Sequence, residues 1–297
     1  MEYPLISIVL PSHNGSRYIG DAIDSCLAQT YRRLELIVVD DGSTDDTLGQ
    51  VAERTDPRIR IVRHGANLGL PAALNTGFAH AGGELLTWTS DDNYYRPTAL
   101  ERMATFLVQH PDVDFVYTDY LEIDATGAPI RRVAANGLDA IDAIVGGEFV
   151  TPCFLYRRRV HEALGPYAED MALAEDYDYW LRASISFRMA PLHEDLYCYR
   201  RHSHSLSSRH TWPAVRAVAQ RSLRRHLRAL PWMDRERKAW VCMNWAREAR
   251  LQGELGSMLA YLGLSVRYAP LWAVRYVVTR LWEWSARRLP ARLPRAG

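Results

Sequence analysis

The chain has 297 residues, 48% hydrophobic and 24% charged, enough to bury one large core and carry an appendage. It contains no long, uniformly apolar window of the kind that spans a bilayer, which excludes a transmembrane helix. Its four cysteines (Cys26, Cys153, Cys198, Cys242) lie far apart, which excludes a closely spaced thiolate metal centre. With no secretory leader at the N-terminus, a reduced, cytoplasmic setting is expected.

A net charge of +1 conceals an asymmetry. Residues 209–297 hold 18 Arg or Lys against 5 Asp or Glu, whereas residues 1–208 hold 18 against 30. Seven of the nine tryptophans also fall in the basic part. The chain is therefore expected to divide into 1–208 and 209–297.

In chain order, Leu5 to Leu10 reads as a buried strand that stops at Pro11. Tyr18 to Gln29 has helical spacing, with Ile19, Ile23 and Leu27 on one face. Leu34 to Val39 predicts a second strand, Ile59 to Val62 a third and Leu85 to Thr89 a fourth, with helical segments between them. This alternation implies βαβ units in a mostly parallel α/β sheet with right-handed crossovers. Phe115 to Ile123, followed by a turn at Ala125 to Ala128, predicts a mixed part of the sheet, and Val150 to Tyr156 another strand. Asp176 to Ser184 reads as a helix with Trp180 and Leu181 inward. Residues 211–290 read as helices broken near Pro231, Gly253–Gly256 and Pro270. Neither a G-x-G-x-x-G nor a G-x-x-x-x-G-K-[ST] motif is present, which removes the dinucleotide and P-loop readings.

Four clusters can carry chemistry. Asp91 and Asp92 follow the fourth strand, at the sheet edge where ligands bind in open α/β folds. Two adjacent carboxylates there either begin a turn or share a hard divalent cation with a diphosphate. Asp40 and Asp41 end the second strand in the same way, and a carboxylate there can accept an N–H from a nucleobase; Asp45 and Asp46 read as caps of the next helix. Asn67-Leu-Gly69 and Leu74-Asn75-Thr-Gly77 can approach a phosphate or sugar, although Gly77 can equally serve helix packing. Glu175 and Asp176 open a helix, where acids are favourable and where either could act as a general base. Arg200 and His202 bring a phosphate-pairing cation and a metal-ligating imidazole to one short segment.

Taken together these blocks resemble the family 2 inverting glycosyltransferases of GT-A fold, over about Ile6 to Ser207. The similarity is carried by Ile8-Val-Leu-Pro-Ser-His-Asn-Gly15, Val38-Val-Asp-Asp-Gly-Ser-Thr-Asp-Asp-Thr47, Ser90-Asp-Asp-Asn-Tyr-Tyr-Arg-Pro97, Glu175-Asp-Tyr-Asp-Tyr-Trp-Leu-Arg182 and Tyr199-Arg-Arg-His-Ser-His-Ser-Leu-Ser207. The resemblance implies a nucleoside-diphosphate sugar donor, of UDP or dTDP type, and a glycan or lipid-linked acceptor in cell-surface polysaccharide or glycolipid assembly. It implies that Asp41 contacts the base beside Pro11, His13 and Arg60, that Asp91 faces the ribose or the sugar, and that Asn14 and Asn75 also bind the nucleotide-sugar. Asp92 and His202 would bind Mg2+ or Mn2+, Arg200 would lie near the diphosphate, and Asp176, with Glu175 beside it, would be the general base. Two departures stand out. Ser90 precedes Asp91-Asp92 with no earlier acid of a D-x-D, and Leu74 stands where many members carry Arg, leaving Arg63 or Arg200 to balance the phosphates. These departures keep open a binding or scaffolding protein of the same fold without turnover.

The basic, Trp-rich appendage has two readings. Its helices pack on the catalytic domain or on a second copy, giving a homo-oligomer. Alternatively, residues 270–290 lie as a basic amphipathic helix on the anionic inner face of a membrane, near a lipid-linked acceptor. A nucleic-acid partner is not expected, because no recognition module accompanies the charge.

Overall fold

The computed structural model describes residues 4–137, 150–205 and 212–286. The expected strands and helices alternate as β1 (Ile6–Ser12), α1 (Ile19–Leu27), β2 (Leu34–Asp40), α2 (Thr47–Ala52), β3 (Ile59–Arg63), α3 (Leu70–Ala79) and β4 (Leu85–Trp88). They are followed by β5 (Tyr94–Tyr95), α4 (Ala99–Gln109), β6 (Phe115–Ile123), β7 (Pro129–Val133), β8 (Phe154–Arg157), α5 (Arg158–Leu164), α6 (Glu175–Ser186), β9 (Met189–Arg200) and α7 (Trp212–His226). Helices α8 (Arg235–Leu251), α9 (Leu255–Tyr268) and α10 (Pro270–Ala286) complete the described chain.

The nine strands form one sheet in the order β3-β2-β1-β4-β8-β6-β9-β5, with β7 on β6. The first four are parallel, so their carboxyl ends lie along one edge. The remainder is mixed: β8 runs antiparallel to β4 and β6, while β6 and β9 are parallel. The physical cause of the parallel half is plain in its composition. β1, β2 and β4 are buried along nearly their whole length, which requires helices over both faces and hence crossover connections. Helix α1 turns Ile19, Ala22, Ile23 and Cys26 into the core, and α4 turns Leu100, Met103, Ala104 and Leu107, each large side chain contributing about 1.5–3 kcal/mol of burial.

Strand β1 runs past Pro11 to Ser12 rather than stopping at the proline. Thr89 donates to the carbonyl of Val9 across the β4 side of β1, and the β1–β4 register ends at Val9 and Trp88. The missing N–H of Pro11 therefore faces a side where the ladder has already finished. Strand β8 begins at Phe154, not Val150, and β9 is a twelve-residue strand where only a short apolar one was legible. Helix α6 matches its predicted position, with Trp180 and Leu181 buried.

Two compact units divide the chain, Met1–Leu230 and Pro231–Gly297. The charge break near 209 and the break in compactness at 230 do not coincide, because α7 is tied into the first unit. Ser222 Oγ and His226 Nε2 lie 2.8 and 3.0 Å from Asp178 Oδ1 on α6, and Arg221 donates to the carbonyl of Asp170. In the second unit the predicted breaks all separate helices, and Ser265 Oγ donates to the carbonyl of Ala239 at 2.9 Å, joining α9 to α8. Among the described residues no helix is long and apolar enough to cross a membrane.

Gly77 lets α3 lie close on the sheet, since a methyl group there would overlap side-chain carbons of Val9 and Val39. Helix propensity alone favours alanine by about 1 kcal/mol, but both valines are fixed in the strands beneath. Gly77→Ala is expected to lower stability by about 1–3 kcal/mol, read as a lower urea midpoint with unchanged slope.

Candidate active site

The carboxyl edge of the parallel strands gathers the predicted residues into three groups. The first surrounds the turn after β4. Asp91 accepts a 2.5 Å hydrogen bond from Ser12 Oγ, and Gly15 approaches so closely that a methyl group there would overlap the Asp91 carboxylate. Asp92 Oδ2 lies 2.9 Å from His202 Nε2. Burial, with the neighbouring Asp92 charge second, pushes Asp91 up to about 7. Burial also raises Asp92, against the lowering effect of His202.

Arg200 stands behind this pair rather than in open solvent, with only 4% of its surface exposed. Its backbone N–H donates to Asn93 Oδ1 at 2.7 Å and its Nε to the Asp92 carbonyl at 3.0 Å. The guanidinium also reaches Asp21 at 3.0 Å and lies 4.5 Å over the Tyr18 ring. Tyr18 in turn packs against His202, ring centroids 4.9 Å apart. Arg200 thus fixes the backbone of the Asp92 turn and places a cation beneath it. Arg63, the other candidate cation, pairs with Asp40 at 3.1 Å.

The second group follows β2. Asp41 is buried, and its carboxylate accepts from the backbone N–H groups of Leu68 and Gly69 at 2.9 and 2.8 Å while contacting His64 Nδ1 at 2.7 Å. His13 Nδ1 meets the Asp41 carbonyl at 2.8 Å. Asn14, at a left-handed φ of 57°, accepts from the N–H groups of Thr44 and Asp45. The helix after this loop is preceded by Asp46 without a side-chain cap; Asp45 instead accepts from Thr47 N–H at 3.1 Å. Pro11 sits at the end of β1 opposite Val39. Arg60 does not join the group: it lies inside β3, opposite Ile37, three positions before the strand's end at Arg63, and is exposed.

The third group is built on the start of α6. Asn75 clasps the backbone of Tyr167, donating to its carbonyl at 3.0 Å and accepting its N–H at 2.8 Å. Tyr167 stacks on Tyr179 of α6 at 4.2 Å, and burial pushes its hydroxyl well above the ordinary tyrosine range. Leu173 adopts φ 83° just before the helix, a left-handed conformation costly for a leucine and sustained by its surroundings. Glu175 is 4% exposed and its Oε2 has no hydrogen-bond partner. Asp176 is half-buried and accepts from Tyr177 N–H. Burial raises both carboxyls, and for Glu175 the adjacent Asp176 charge adds to it.

Ser12, Gly15, Tyr18, Asp21 and His64 are parts of this site that the motif reading did not select. Ser12 and Gly15 lie within the Ile8–Gly15 segment, and His64 directly follows β3 at the same edge as Asp41. Only pairing partners revealed by the fold distinguish them.

Asp92 Oδ2 and His202 Nε2, 2.9 Å apart, pair an oxygen with a nitrogen donor, a donor set that suits Mn2+ or Mg2+. Among the described residues no three His, Cys, Asp or Glu side chains converge on a metal position. A cation here would therefore draw its other ligands from a diphosphate and water, as Mg2+ commonly does.

A parallel α/β half-sheet with paired carboxylates at its carboxyl edge, continued by a mixed half and a helix opening in Glu-Asp, is an architecture similar to the GT-A fold. The chain belongs to glycosyl transferase family 2, whose model matches residues 7–165. It is 32% identical over 201 residues to an uncharacterized glycosyltransferase of Rickettsia felis, covering 65% of this chain and 33% of that protein. The chain thus spans about a third of that relative's length. In structure it is similar to S. aureus TarS 1-349 in complex with UDP-GlcNAc, with TM-score 0.65, 19% identity and coverage of 89% and 81% of the two chains. It is also similar to the mannosyltransferase PcManGT from Pyrobaculum calidifontis in complex with GDP-Man and Mn2+, with TM-score 0.56, 19% identity and coverage of 95% and 88%.

The buried Glu175 gives the site a pH signature. Burial, with the Asp176 charge second, pushes its carboxyl up to about 8, against roughly 4.3 in the unfolded chain. The stability this contributes is complete below the ordinary carboxylate pKa and is lost as pH rises through the raised folded value. The urea midpoint of the wild type is expected to fall between about pH 5 and about pH 8, and Glu175→Gln to flatten that slope. A parallel slope in the variant would remove Glu175 as its source.

Proposed function

We propose that the chain transfers a sugar, with inversion at the anomeric carbon, from a uridine- or thymidine-diphosphate sugar to a hydroxyl of a glycan or lipid-linked acceptor, in assembly of a cell-surface polysaccharide or glycolipid. The observation that carries this reading is a division of the carboxylates. Asp91 and Asp92, with His202, stand at the end of β4, while Asp176 opens α6 with its pKa raised by burial. A base held above the ordinary carboxylate range accepts a proton more readily at neutral pH. The likeness to TarS in complex with UDP-GlcNAc supports a uridine-type donor, and the likeness to PcManGT in complex with Mn2+ supports a divalent cation.

In this reading Asp176 accepts the proton of the acceptor hydroxyl as its oxygen bonds to the anomeric carbon. The bond from that carbon to the diphosphate oxygen breaks on the opposite face, so the configuration inverts. Asp92 and His202 would hold Mg2+ or Mn2+, whose Lewis acidity neutralises charge developing on the departing nucleoside diphosphate. Arg200 orients Asp92 through its backbone and keeps positive charge close to it. Asp41 shapes the base pocket by holding the Leu68–Gly69 loop against the end of β2, with Pro11, His13 and Asn14 as its floor. Asn75 acts through Tyr167 rather than on the sugar.

The test is thermal shift with UDP, dTDP, GDP and CDP, each with and without Mn2+, on wild type and Asp92→Ala. A ligand at about 100 times its Kd adds about 2.7 kcal/mol of stability, readily measured. Stabilisation by UDP or dTDP that requires Mn2+ and is lost in Asp92→Ala is expected; a shift with GDP alone would reassign the donor. Once the acceptor is in hand, Asp176→Asn is expected to lower kcat by about 10²–10⁴-fold while leaving the nucleotide shift intact. Wild-type turnover by this variant would overturn the role of Asp176.

A further inference from the structure

The second compact unit carries a surface that the transfer chemistry does not use. From Leu255 to Trp282 there is no Asp or Glu, while Arg267, Arg275 and Arg280 punctuate the stretch. It spans α9 and most of α10, separated at Pro270. Within it the large apolar side chains are not buried. On α9, Leu255 and Leu259 are 65% and 63% exposed, one turn apart; on α10, Leu271, Val274 and Val278 are 88%, 59% and 58% exposed. Positions 271, 274 and 278 follow helical i, i+3, i+7 spacing, so they form one continuous stripe. Arg267 and Arg275 are exposed as well, and Tyr268, Trp272 and Tyr276 are half-buried, with Trp272 stacked on Tyr276 at 5.1 Å.

Such exposure is costly in water, because apolar surface left in solvent forgoes the stabilisation of burial. What covers the stripe is indicated by its charge. An acid-free face with arginines beside it is complementary to an anionic surface, and residues 231–297 hold 12 Arg or Lys against 5 Asp or Glu. Amphipathic aromatic rings next to exposed aliphatics suit the boundary between headgroups and acyl chains. Neither helix is long and apolar enough to cross the bilayer, which leaves lying on it.

We infer that α9 and α10 form a docking surface for the headgroup–acyl boundary of an anionic lipid bilayer. The exposed leucines and valines enter the boundary, while Arg267 and Arg275 meet lipid phosphates. Two copies of this face would bring like charges together, so a bilayer is the complementary occupant.

The experiment is co-sedimentation of the full chain with vesicles of phosphatidylcholine, with or without phosphatidylglycerol, at low and high salt. Two variants accompany it: Leu271→Gln/Val274→Gln/Val278→Gln, and Arg267→Gln/Arg275→Gln. The wild type is expected to pellet with phosphatidylglycerol vesicles, weakly with phosphatidylcholine alone, and less at high salt. The apolar triple variant should bind at least about tenfold more weakly, and the arginine pair about fivefold more weakly per charge with a shallower salt dependence. The UDP–Mn2+ thermal shift, or far-ultraviolet circular dichroism should no nucleotide bind, shows that both variants are folded. The inference is overturned if the wild type stays in the supernatant with anionic vesicles, or if the folded triple variant pellets as the wild type does. It is equally overturned if light scattering shows a dimer that the triple variant dissolves while vesicle binding is unchanged, since a second copy then covers the stripe.

Discussion

Carboxylates crowded into a low-dielectric edge are the constraint around which this structure is arranged. Asp91 and Asp92 are adjacent in sequence and half-buried; Glu175 and Asp176 are adjacent too, the first buried and the second half-buried. Desolvation raises all four carboxyls, and repulsion from the neighbouring acid adds to it for Asp91 and Glu175. Proximity of like charges survives only because the strands beneath it cannot rearrange. β4 is locked between β1 and β8, and α6 is anchored by buried Trp180 and by Asp178, which holds Arg182, Ser222 and His226. The core thus supports a site that would be unfavourable by itself, a common relation between scaffold and function.

Around that edge, residues of ligand-binding type serve largely to satisfy the backbone. Asp41 accepts two loop N–H groups, Asn14 two more, and Asn75 takes both a donor and an acceptor from Tyr167. Buried main-chain groups must find partners, and loops that pass over a sheet edge have no ladder to supply them. The loops after β1, β2 and β3 are consequently fastened to one another, and a pocket made from them is preorganised. Arg200 illustrates the same economy on the cationic side: its guanidinium is distributed among Asp21, the Asp92 carbonyl and the Tyr18 ring. A charge so placed tunes the site without being free to swing onto a ligand.

How much of this was readable depended on the range of the interaction. Periodicity located β1, β2, β3, β4 and α6 within a few residues, because burial on both faces or along one helical stripe leaves a local imprint. It missed the full length of β9, whose burial alternates irregularly, and it could not foresee that Pro11 would be tolerated inside β1, which depends on where β4 ends. Motif blocks mark segments that the fold brings to one sheet edge, but they assign side chains by residue type. The resemblance implies Arg60 beside Asp41, whereas the register of β3 sets it three positions before the strand's end, and His64, one residue past β3, makes the contact to Asp41.

By itself the sequence determined the α/β alternation, the carboxylates at strand ends, the family and the basic, aromatic character of the last third, since each is written in spacing or composition. Tertiary structure alone decided which of those side chains have bonding capacity left for a ligand. Whether Asp41 or Asn75 faces outward, whether Arg200 is exposed, and that α7 belongs with the first compact unit all follow from contacts between residues tens to more than a hundred positions apart. Such contacts have no period and no local signature. They exist only once the sheet has set the distances.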